Sequence, residues 1–223
     1  MLRKLSRLFF GGTCFLCRGA AAGLLCADCD ADLPRLDAER CPRCALASRG
    51  GAPCGRCLAH PPRYDATIAA LDYRFPADVL VHALKFRGEL ALAPLLGALL
   101  REKLSAAAGV DVLVPVPLSP RRLRERGYNQ AVEIARSLGA PLDAGCCERV
   151  RETRAQMELP FDERASNVRG AFRCSRALSG ARVAVIDDVM TTGATLDEIA
   201  AALKEAGAAR VVNWVVARTA PPA

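Results

Sequence analysis

The sequence has no run of 18 or more apolar residues, and it has few aromatic side chains. A transmembrane helix needs about 20 consecutive apolar residues, so none is expected and no membrane insertion is predicted. The apolar stretch Leu8–Phe10 is too short for the hydrophobic region of a secretion signal, and we expect a cytoplasmic protein. Aromatic residues make up 5% of the chain, so base stacking along a bound nucleic acid would be sparse.

Basic residues outnumber acidic ones, which gives the 223-residue chain a formal charge of +7. A basic balance suggests an anionic partner. Eight thiolates on two zinc ions would lower that charge to about +3, so the charge argues only weakly for nucleic acid. Arginine supplies 27 of the 31 basic residues, which favours bidentate phosphate contacts or reflects codon bias. The length suits one domain of about 150–170 residues plus a small appendage.

One stretch, Arg182–Thr195, combines an apolar run, two acids and a hydroxyl-rich turn. Val183–Ile186 predicts a buried strand, and Asp187 and Asp188 stand where we expect that strand to end. The turn Thr191–Gly193 precedes a helical pattern, so backbone N–H groups and the helix dipole can bind a phosphate there. Carboxylates repel phosphate and suit sugar hydroxyls or Mg²⁺. The pattern predicts a phosphorylated-sugar site; the alternative is an ordinary strand–turn–helix with solvated acids.

Eight of the eleven cysteines form four C-x-x-C pairs near the start of the chain. They are Cys14 and Cys17, Cys26 and Cys29, Cys41 and Cys44, and Cys54 and Cys57. Each pair places two sulfurs on one metal, so sequential pairing gives two closed, structural Cys₄ zinc sites. Interleaved pairing, in which the first pair meets the third, also fits the spacing. We expect zinc to supply about 10 kcal/mol of folding free energy per site.

Two other interpretations of these cysteines are disfavoured. A disulfide framework needs an oxidising compartment, and nothing in the sequence suggests export. A thioredoxin-like redox motif needs a surrounding βαβ pattern, which is missing. The stiff segment His60–Pro62 marks the expected boundary between a double zinc ribbon, residues 1–60, and a second domain, residues 61–223.

A second strand–loop–helix pattern begins with Asp111–Val116. The segment after it, Pro117–Gln130, is expected to be a loop and holds four arginines. Ligands of open α/β sheets lie at the carboxyl ends of the strands, so this segment would face the acidic pair across one crevice. A solvated basic loop is the alternative. Lys85, beside the end of a predicted helix, could meet a diphosphate.

The segment 149–169 is polar and rich in arginine, with poor apolar periodicity. We interpret it as a long loop or hairpin arm that could close over a reactive intermediate and exclude water. A plain surface hairpin is the alternative.

The motifs of the whole chain occur in a specific order. Four C-x-x-C pairs are followed by PVPL at 115–118, RERGYNQA at 124–131, Gln156, Leu159, Arg164, Asn167, and VIDDVMTTGAT at 185–195. This order resembles the ComF family of competence proteins, which are similar to amidophosphoribosyltransferases. Val183–Thr195 alone looks like the phosphoribosyl pyrophosphate (PRPP) motif of type I phosphoribosyltransferases, without a P-loop Lys or a G-x-G-x-x-G. The resemblance implies a type I phosphoribosyltransferase-like parallel sheet flanked by helices, carrying an N-terminal double zinc ribbon.

The resemblance also implies roles for individual residues. Asp187 and Asp188 would bind the ribose hydroxyls or organise Mg²⁺, and they are the expected catalytic residues. The 5-phosphate would be held by the residues of the turn: Thr191, Thr192, Gly193, Ala194 and Thr195. The diphosphate loop Pro117–Arg122 would contain a strained or cis peptide bond. The expected ligand-binding residues of this loop are Leu118, Ser119 and Arg122. Arg126, from the RERGYNQA segment, is also expected to bind the ligand. A base-selecting hood would come from the N-terminal half, including the ribbons.

Three functions are consistent with these features. The first is a phosphoribosyltransferase-domain protein that binds PRPP with Mg²⁺ and acts in natural transformation, on incoming single-stranded DNA. The second is a nucleotide-sensing module that binds single-stranded DNA without transferase activity. The third is an adaptor whose zinc ribbons dock competence or DNA-processing proteins.

Overall fold

The computed structural model describes residues 12–37, 39–104, 109–151 and 168–220, and the statements below concern these residues. Four residues of the family resemblance, Gln156, Leu159, Arg164 and Asn167, lie outside them. The same holds for most of the arginine-rich segment 149–169, of which only the two ends are described.

Short elements dominate the first 60 residues, and long ones follow. The strands are β1 Gly12–Thr13, β2 Ala20–Ala21, β3 Ala66–Asp72, β4 Val112–Pro115, β5 Cys147–Arg149, β6 Phe172–Cys174, β7 Arg182–Met190 and β8 Arg210–Arg218. The α-helices are α1 Ala27–Ala31, α2 Gly55–Ala59, α3 Ala77–Phe86, α4 Leu92–Lys103, α5 Pro120–Arg126, α6 Gln130–Ala135 and α7 Ala194–Glu205.

Four strands form a parallel sheet in the order β3–β8–β7–β4. Helices cover both faces of such a sheet, so its strands consist of nearly continuous apolar residues, as β7 and β8 do. Because all four strands run the same way, their carboxyl ends share one edge. The predicted fold class, a parallel sheet flanked by helices behind an N-terminal zinc ribbon, is confirmed.

Helices bury the two faces of the sheet separately. On one face, α7 packs through Leu196, Ile199 and Leu203 onto β7 and β8. On the other face, α4 and α6 cover the sheet and α3 packs on α4. Gly97 lets α4 approach α6 closely, because a Cβ at this position would lie 1.8 Å from Ser137 Oγ.

The central strand β7 is longer than the sequence pattern predicts. Asp187 and Asp188 lie inside the strand, which continues to Met190, and the expectation that it ends at the acids was wrong. The physical reason is backbone pairing: β8 also has nine residues, and it pairs with Asp187 through Val215 and with Met190 through Arg218. The hydrogen-bond ladder uses backbone groups, so polar side chains do not end it.

The segment after β4, expected to be a loop, contains the helix α5. Its start and end signals are local. Ser119 accepts a hydrogen bond from the N–H of Arg122 at 3.3 Å, and Pro120 occupies the first helical position. Gly127, with φ of 81°, ends the helix in the left-handed conformation. The cis peptide bond among the described residues is Phe75–Pro76, so the expected one in the loop Pro117–Arg122 is not found.

Both edges of the sheet carry an additional backbone segment. At one edge, Arg35, from the segment between the second and third cysteine pairs, forms an antiparallel bridge with Leu71 of β3. At the other edge, Leu142 forms a parallel bridge with Leu113 of β4. Within the described part of the chain, the helices are too short or too polar to cross a membrane.

Candidate functional site

The eight predicted metal ligands converge in two groups. Cluster I consists of Cys14, Cys17, Cys26 and Cys29, and cluster II consists of Cys41, Cys44, Cys54 and Cys57. In each cluster the four Sγ atoms lie within 4.8 Å of one another. Sequential pairing is confirmed, and the interleaved alternative was wrong.

The geometry of both clusters fits tetrahedral zinc. Four sulfurs at a Zn–S distance of about 2.3 Å are about 3.8 Å apart. The Sγ atoms of Cys17 and Cys26 are 3.7 Å apart, and those of Cys44 and Cys54 are 3.6 Å apart. The N–H of Cys54 also points at Sγ of Cys41 at 3.3 Å, a contact that stabilises a thiolate. The clusters are structural Zn²⁺ sites.

A cavity of about 250 Å³ opens at the carboxyl edge of the sheet. Ten of the predicted ligand-binding residues line it: Leu118, Arg122, Arg126, Asp187, Asp188, Thr191, Thr192, Gly193, Ala194 and Thr195. The wall also includes Tyr73, which directly follows β3, Lys85 and Phe86 of α3, and Arg149 of β5. The acids, the turn and two arginines therefore share one concave site, as expected where parallel strands end.

The two acids of β7 differ in their surroundings. Asp188 is buried, and its carboxylate lies 2.9 Å from the ammonium of Lys85. Asp187 is half-buried, and one of its carboxylate oxygens accepts a hydrogen bond from the N–H of Asp188 at 2.9 Å. Lys85, the predicted diphosphate contact, forms an ion pair with Asp188. Within the described part of the chain, the ion pairs of the cavity thus include Asp188 with Lys85 and none that involves Asp187.

The pKa values of the two carboxyl groups are displaced in opposite directions. Burial, reinforced by the charge of Asp188, raises the pKa of Asp187 well above its ordinary value. Burial also disfavours the charged form of Asp188, but the ammonium of Lys85 outweighs it and lowers the pKa of Asp188. Asp187 is therefore the group whose ionisation a bound cation or sugar would favour.

We predict that Asp187→Asn raises the free energy of unfolding at neutral pH. The folded state holds the Asp187 proton more tightly than the unfolded state, so wild-type stability falls as pH rises above about 4, through the raised pKa. The variant lacks this loss, because its amide does not titrate. Urea unfolding from pH 4 to 8 should show the two proteins converging in acid and diverging as pH rises. Parallel pH curves would contradict the raised pKa.

The turn Thr191–Gly193 connects β7 to α7 at the mouth of the cavity. Gly193 has φ of 86°, a conformation that glycine adopts readily. A Cβ there would lie 2.7 Å from Met190 Cε and 3.1 Å from Tyr64 Oη, so the turn also needs glycine for space. The first turn of a helix carries N–H groups without acceptors inside the helix, which makes this end of α7 suitable for an anion.

The helix α5 supplies the basic wall. Arg122 and Arg126 are one turn apart, so they lie on the same face and both line the cavity. The guanidinium of Arg126 lies 5.5 Å from the ring centre of Phe86 and donates a hydrogen bond to Gln130. Ser119 does not line the cavity; its hydroxyl caps α5.

Relatives of known name cover almost the whole chain. A double zinc ribbon domain family matches residues 5–58. DNA utilization protein YhgH of Salmonella typhimurium is 39% identical, over 93% of this chain and 97% of that protein. Competence protein F of Haemophilus influenzae is 30% identical, over 94% of this chain and 98% of that protein.

The chain belongs to the ComF family. The predicted family resemblance is thereby confirmed along the chain, including both zinc ribbons. A solved structure described as the allosteric regulatory enzyme of purine biosynthesis is 26% identical to this ComF-family protein. The match covers 55% of this chain and 25% of the chain in that structure, with a TM-score of 0.38, and it adds no weight to the family assignment.

Sequence reasoning did not assign Tyr73 to the cavity of the ComF-family protein, and it did not predict the contacts of Lys85 and Arg149 there. Tyr73 directly follows β3, and the rule that parallel strands end at the site could have found it. Lys85 pairs with an acid 103 positions away, which no local pattern reports. Arg149 lies 5.2 Å from the ring centre of Phe172, and burial, together with neighbouring arginines, lowers the pKa of Arg149 to about 10.

Proposed function

We propose that this ComF-family protein binds PRPP together with Mg²⁺ and acts in the use of incoming DNA. One observation carries the proposal: the acid pair and the glycine turn, which suit opposite ends of a phosphorylated ribose, line the same cavity. The printed names of the relatives, DNA utilization protein and competence protein, support the link to DNA.

Each wall of the cavity suits one part of the ligand. The turn 191–195 would bind the 5-phosphate through backbone N–H groups and threonine hydroxyls. Asp187 and Asp188 would accept hydrogen bonds from the two ribose hydroxyls. Arg122 and Arg126 would bind the diphosphate, since a guanidinium binds phosphate oxygens in a bidentate manner.

The same arrangement suits transfer of the phosphoribosyl group. The bond from C1 of the ribose to the diphosphate would break, and a nitrogen acceptor would form the new bond at C1. The arginines would stabilise the charge that develops on the leaving diphosphate, and Asp187 and Asp188 would fix the ribose. Mg²⁺, when bound, supplies further neutralisation of the diphosphate. Asp187, as an unpaired carboxylate, is the better candidate to hold it.

We further propose a division of the chain into a double zinc ribbon, residues 1–60, and a ligand-binding domain, residues 61–223. The expected location is the cytoplasm. Single-stranded DNA and DNA-processing proteins of the competence machinery are the proposed macromolecular partners.

A calorimetric titration tests the ligand. PRPP with Mg²⁺ should bind more tightly than ribose 5-phosphate or diphosphate alone, because only PRPP meets the turn, the acids and the arginines together. Replacing Arg122 and Arg126 by Ala should weaken PRPP binding about tenfold or more, or 1.4 kcal/mol, and ribose 5-phosphate binding much less. Arg121→Ala with Arg124→Ala, on the exposed side of α5, is the matched control.

Two results would contradict this assignment: equal affinity for PRPP and ribose 5-phosphate, or equal losses in the two arginine variants. A screen for diphosphate release over candidate nitrogen acceptors then tests transfer separately from binding.

A second candidate function is a single-stranded DNA-binding module without transfer. The observation in its favour is aromatic exposure: Phe86, which lines the cavity, is 50% exposed and has Arg126 over its ring, and Phe75 is 74% exposed. Bases can stack on such rings while arginines contact the backbone. Binding of an oligonucleotide should weaken steeply between 50 and 200 mM salt, by about tenfold or more. A flat salt dependence would reject this function.

A further inference from the structure

Zinc cluster II and the phosphate turn are joined by one buried side chain, Arg218, at the end of β8. Its exposed fraction is 1%. The Nε donates to the carbonyl oxygen of Cys44, a ligand of cluster II, at 2.7 Å. The Nη1 donates to the carbonyl oxygens of Met190 at 2.8 Å, of Thr191, and of Thr219 at 2.7 Å. One guanidinium thus bridges the zinc knuckle and the start of the turn.

The charge of Arg218 has its counterpart in cluster II. None of the ion pairs among the described residues joins Arg218 to a carboxylate, and the neighbouring acidic groups are the Cys44 thiol and the Tyr64 hydroxyl. A buried cation is costly unless an anion is close. Four thiolates on one Zn²⁺ carry a net charge of −2, so zinc-loaded cluster II stabilises the buried guanidinium. The zinc ion also fixes the knuckle that presents the Cys44 carbonyl.

Two further contacts support the turn from the same side. Arg56, between the last two cysteines of cluster II, donates to the carbonyl oxygen of Thr192 at 3.3 Å. Tyr64 is buried in the same hydrophobic cluster as Cys44 and Cys57, and its hydroxyl stands behind Gly193. Each residue of the turn 191–193 is therefore backed by a side chain that lies against, or belongs to, cluster II.

Among the residues that the structure describes, cluster I has no hydrogen bond to the turn comparable with those of Arg218 and Arg56. The apolar residues beside it, Phe15, Leu16 and Leu25, pack on the opposite core, the one formed by α3, α4 and α6. It has the same set of four cysteine ligands in two C-x-x-C pairs, which are separated by eight residues in cluster I and by nine in cluster II. It therefore provides an internal control for the effect of zinc on the turn.

We propose that zinc-loaded cluster II holds the phosphate turn in its binding shape through Arg218, so that zinc occupancy of this cluster sets the affinity of the anion site. Arg218 is a positioning residue: it acts on the ligand through the carbonyls of the turn. The identity of the ligand as PRPP rests on the proposed function, whereas the mechanical link between cluster and turn does not. Because coupling between binding free energies is reciprocal, bound ligand should also raise the affinity of cluster II for zinc.

Hydrogen exchange on the full-length zinc-loaded protein tests the link without any ligand. Cys54→Ser with Cys57→Ser removes zinc from cluster II, and Cys26→Ser with Cys29→Ser removes it from cluster I. The first pair should speed amide exchange in a peptide covering 189–195 by about tenfold or more, and the second should leave it within about twofold. Equal protection in both variants would overturn the proposal, as would equal loss in both.

Arg218→Lys provides a test in which both clusters keep their cysteines. A lysine keeps the charge, but its single ammonium cannot donate hydrogen bonds both to Cys44 and to the turn, as the Nε and Nη1 of the guanidinium do. In wild type, PRPP should raise the chelator concentration that removes one of the two zinc equivalents at equilibrium, and in Arg218→Lys this increase should disappear. If PRPP binds wild type and raises this concentration for neither equivalent, the proposal is wrong. If PRPP does not bind wild type at all, the proposed ligand is wrong, and the exchange experiment alone decides on the link.

Discussion

The double variant Asp187→Asn with Asp188→Asn should abolish PRPP binding, with a loss of affinity of about 100-fold or more, equivalent to about 2.7 kcal/mol. Each charge-assisted hydrogen bond to a sugar hydroxyl contributes about 1.5–3 kcal/mol, and the variant replaces two carboxylates by neutral amides. It also leaves the ammonium of Lys85, now 2.9 Å from a carboxylate oxygen, without an anionic partner. Calorimetry in the presence of Mg²⁺ measures the effect.

The matched control for this experiment is Asp197→Asn. Asp197 is an acid of the first turn of α7, close in sequence to the phosphate turn, but it does not line the cavity and pairs with Arg63 at 3.0 Å. Its replacement should leave PRPP affinity within about twofold, since surface ion pairs contribute little. Unchanged affinity in the double cavity variant would reject the assignment of the acids, particularly if the control behaves as expected.

Removal of zinc should unfold the N-terminal ribbons. Structural zinc contributes about 10 kcal/mol per site, which is comparable with the entire free energy of unfolding of a domain, about 5–15 kcal/mol. The chain should bind two zinc ions, and a chelator strong enough to remove both should lower the melting temperature and make residues 12–59 sensitive to protease. Elemental analysis and limited proteolysis measure the two effects.

Cys174→Ser is the control for the zinc experiment. This cysteine belongs to neither cluster, and its sulfur lies 3.6 Å from that of Cys146, on the strand pair β5–β6. The variant should keep two zinc ions per chain, whereas Cys14→Ser with Cys17→Ser should keep one. Retention of two ions in the second variant would mean that cluster I is not a zinc site.

Local patterns predicted the parts of the site that are contiguous in sequence. The acid pair and the turn 191–195 lie within one strand–turn–helix, so their spacing was enough to place them together. The C-x-x-C spacing identified the zinc ligands, but it could not choose between sequential and interleaved pairing. That choice depends on which knuckles meet in space.

The other features of the fold and the site depended on tertiary contacts or on local sequence signals that we did not use. The pairing of Lys85 with Asp188 and the bridge of Arg218 to Cys44 join residues more than 100 positions apart. The helix α5, in contrast, has local signals in Ser119, Pro120 and Gly127, although we expected this segment to be a loop. Its helical form decides which arginines reach the cavity, because only one face of a helix points inward.

The segments that bridge to β3 and β4 have a consequence for solubility. An open strand at the margin of a sheet exposes unpaired N–H and C=O groups that invite aggregation with other molecules. Here the backbone of Arg35 pairs with the outer strand β3, and the backbone of Leu142 pairs with the outer strand β4. Both outer strands therefore have a backbone partner at these positions. The linker between the two cysteine clusters thus covers part of the margin formed by β3, in addition to connecting the ribbons.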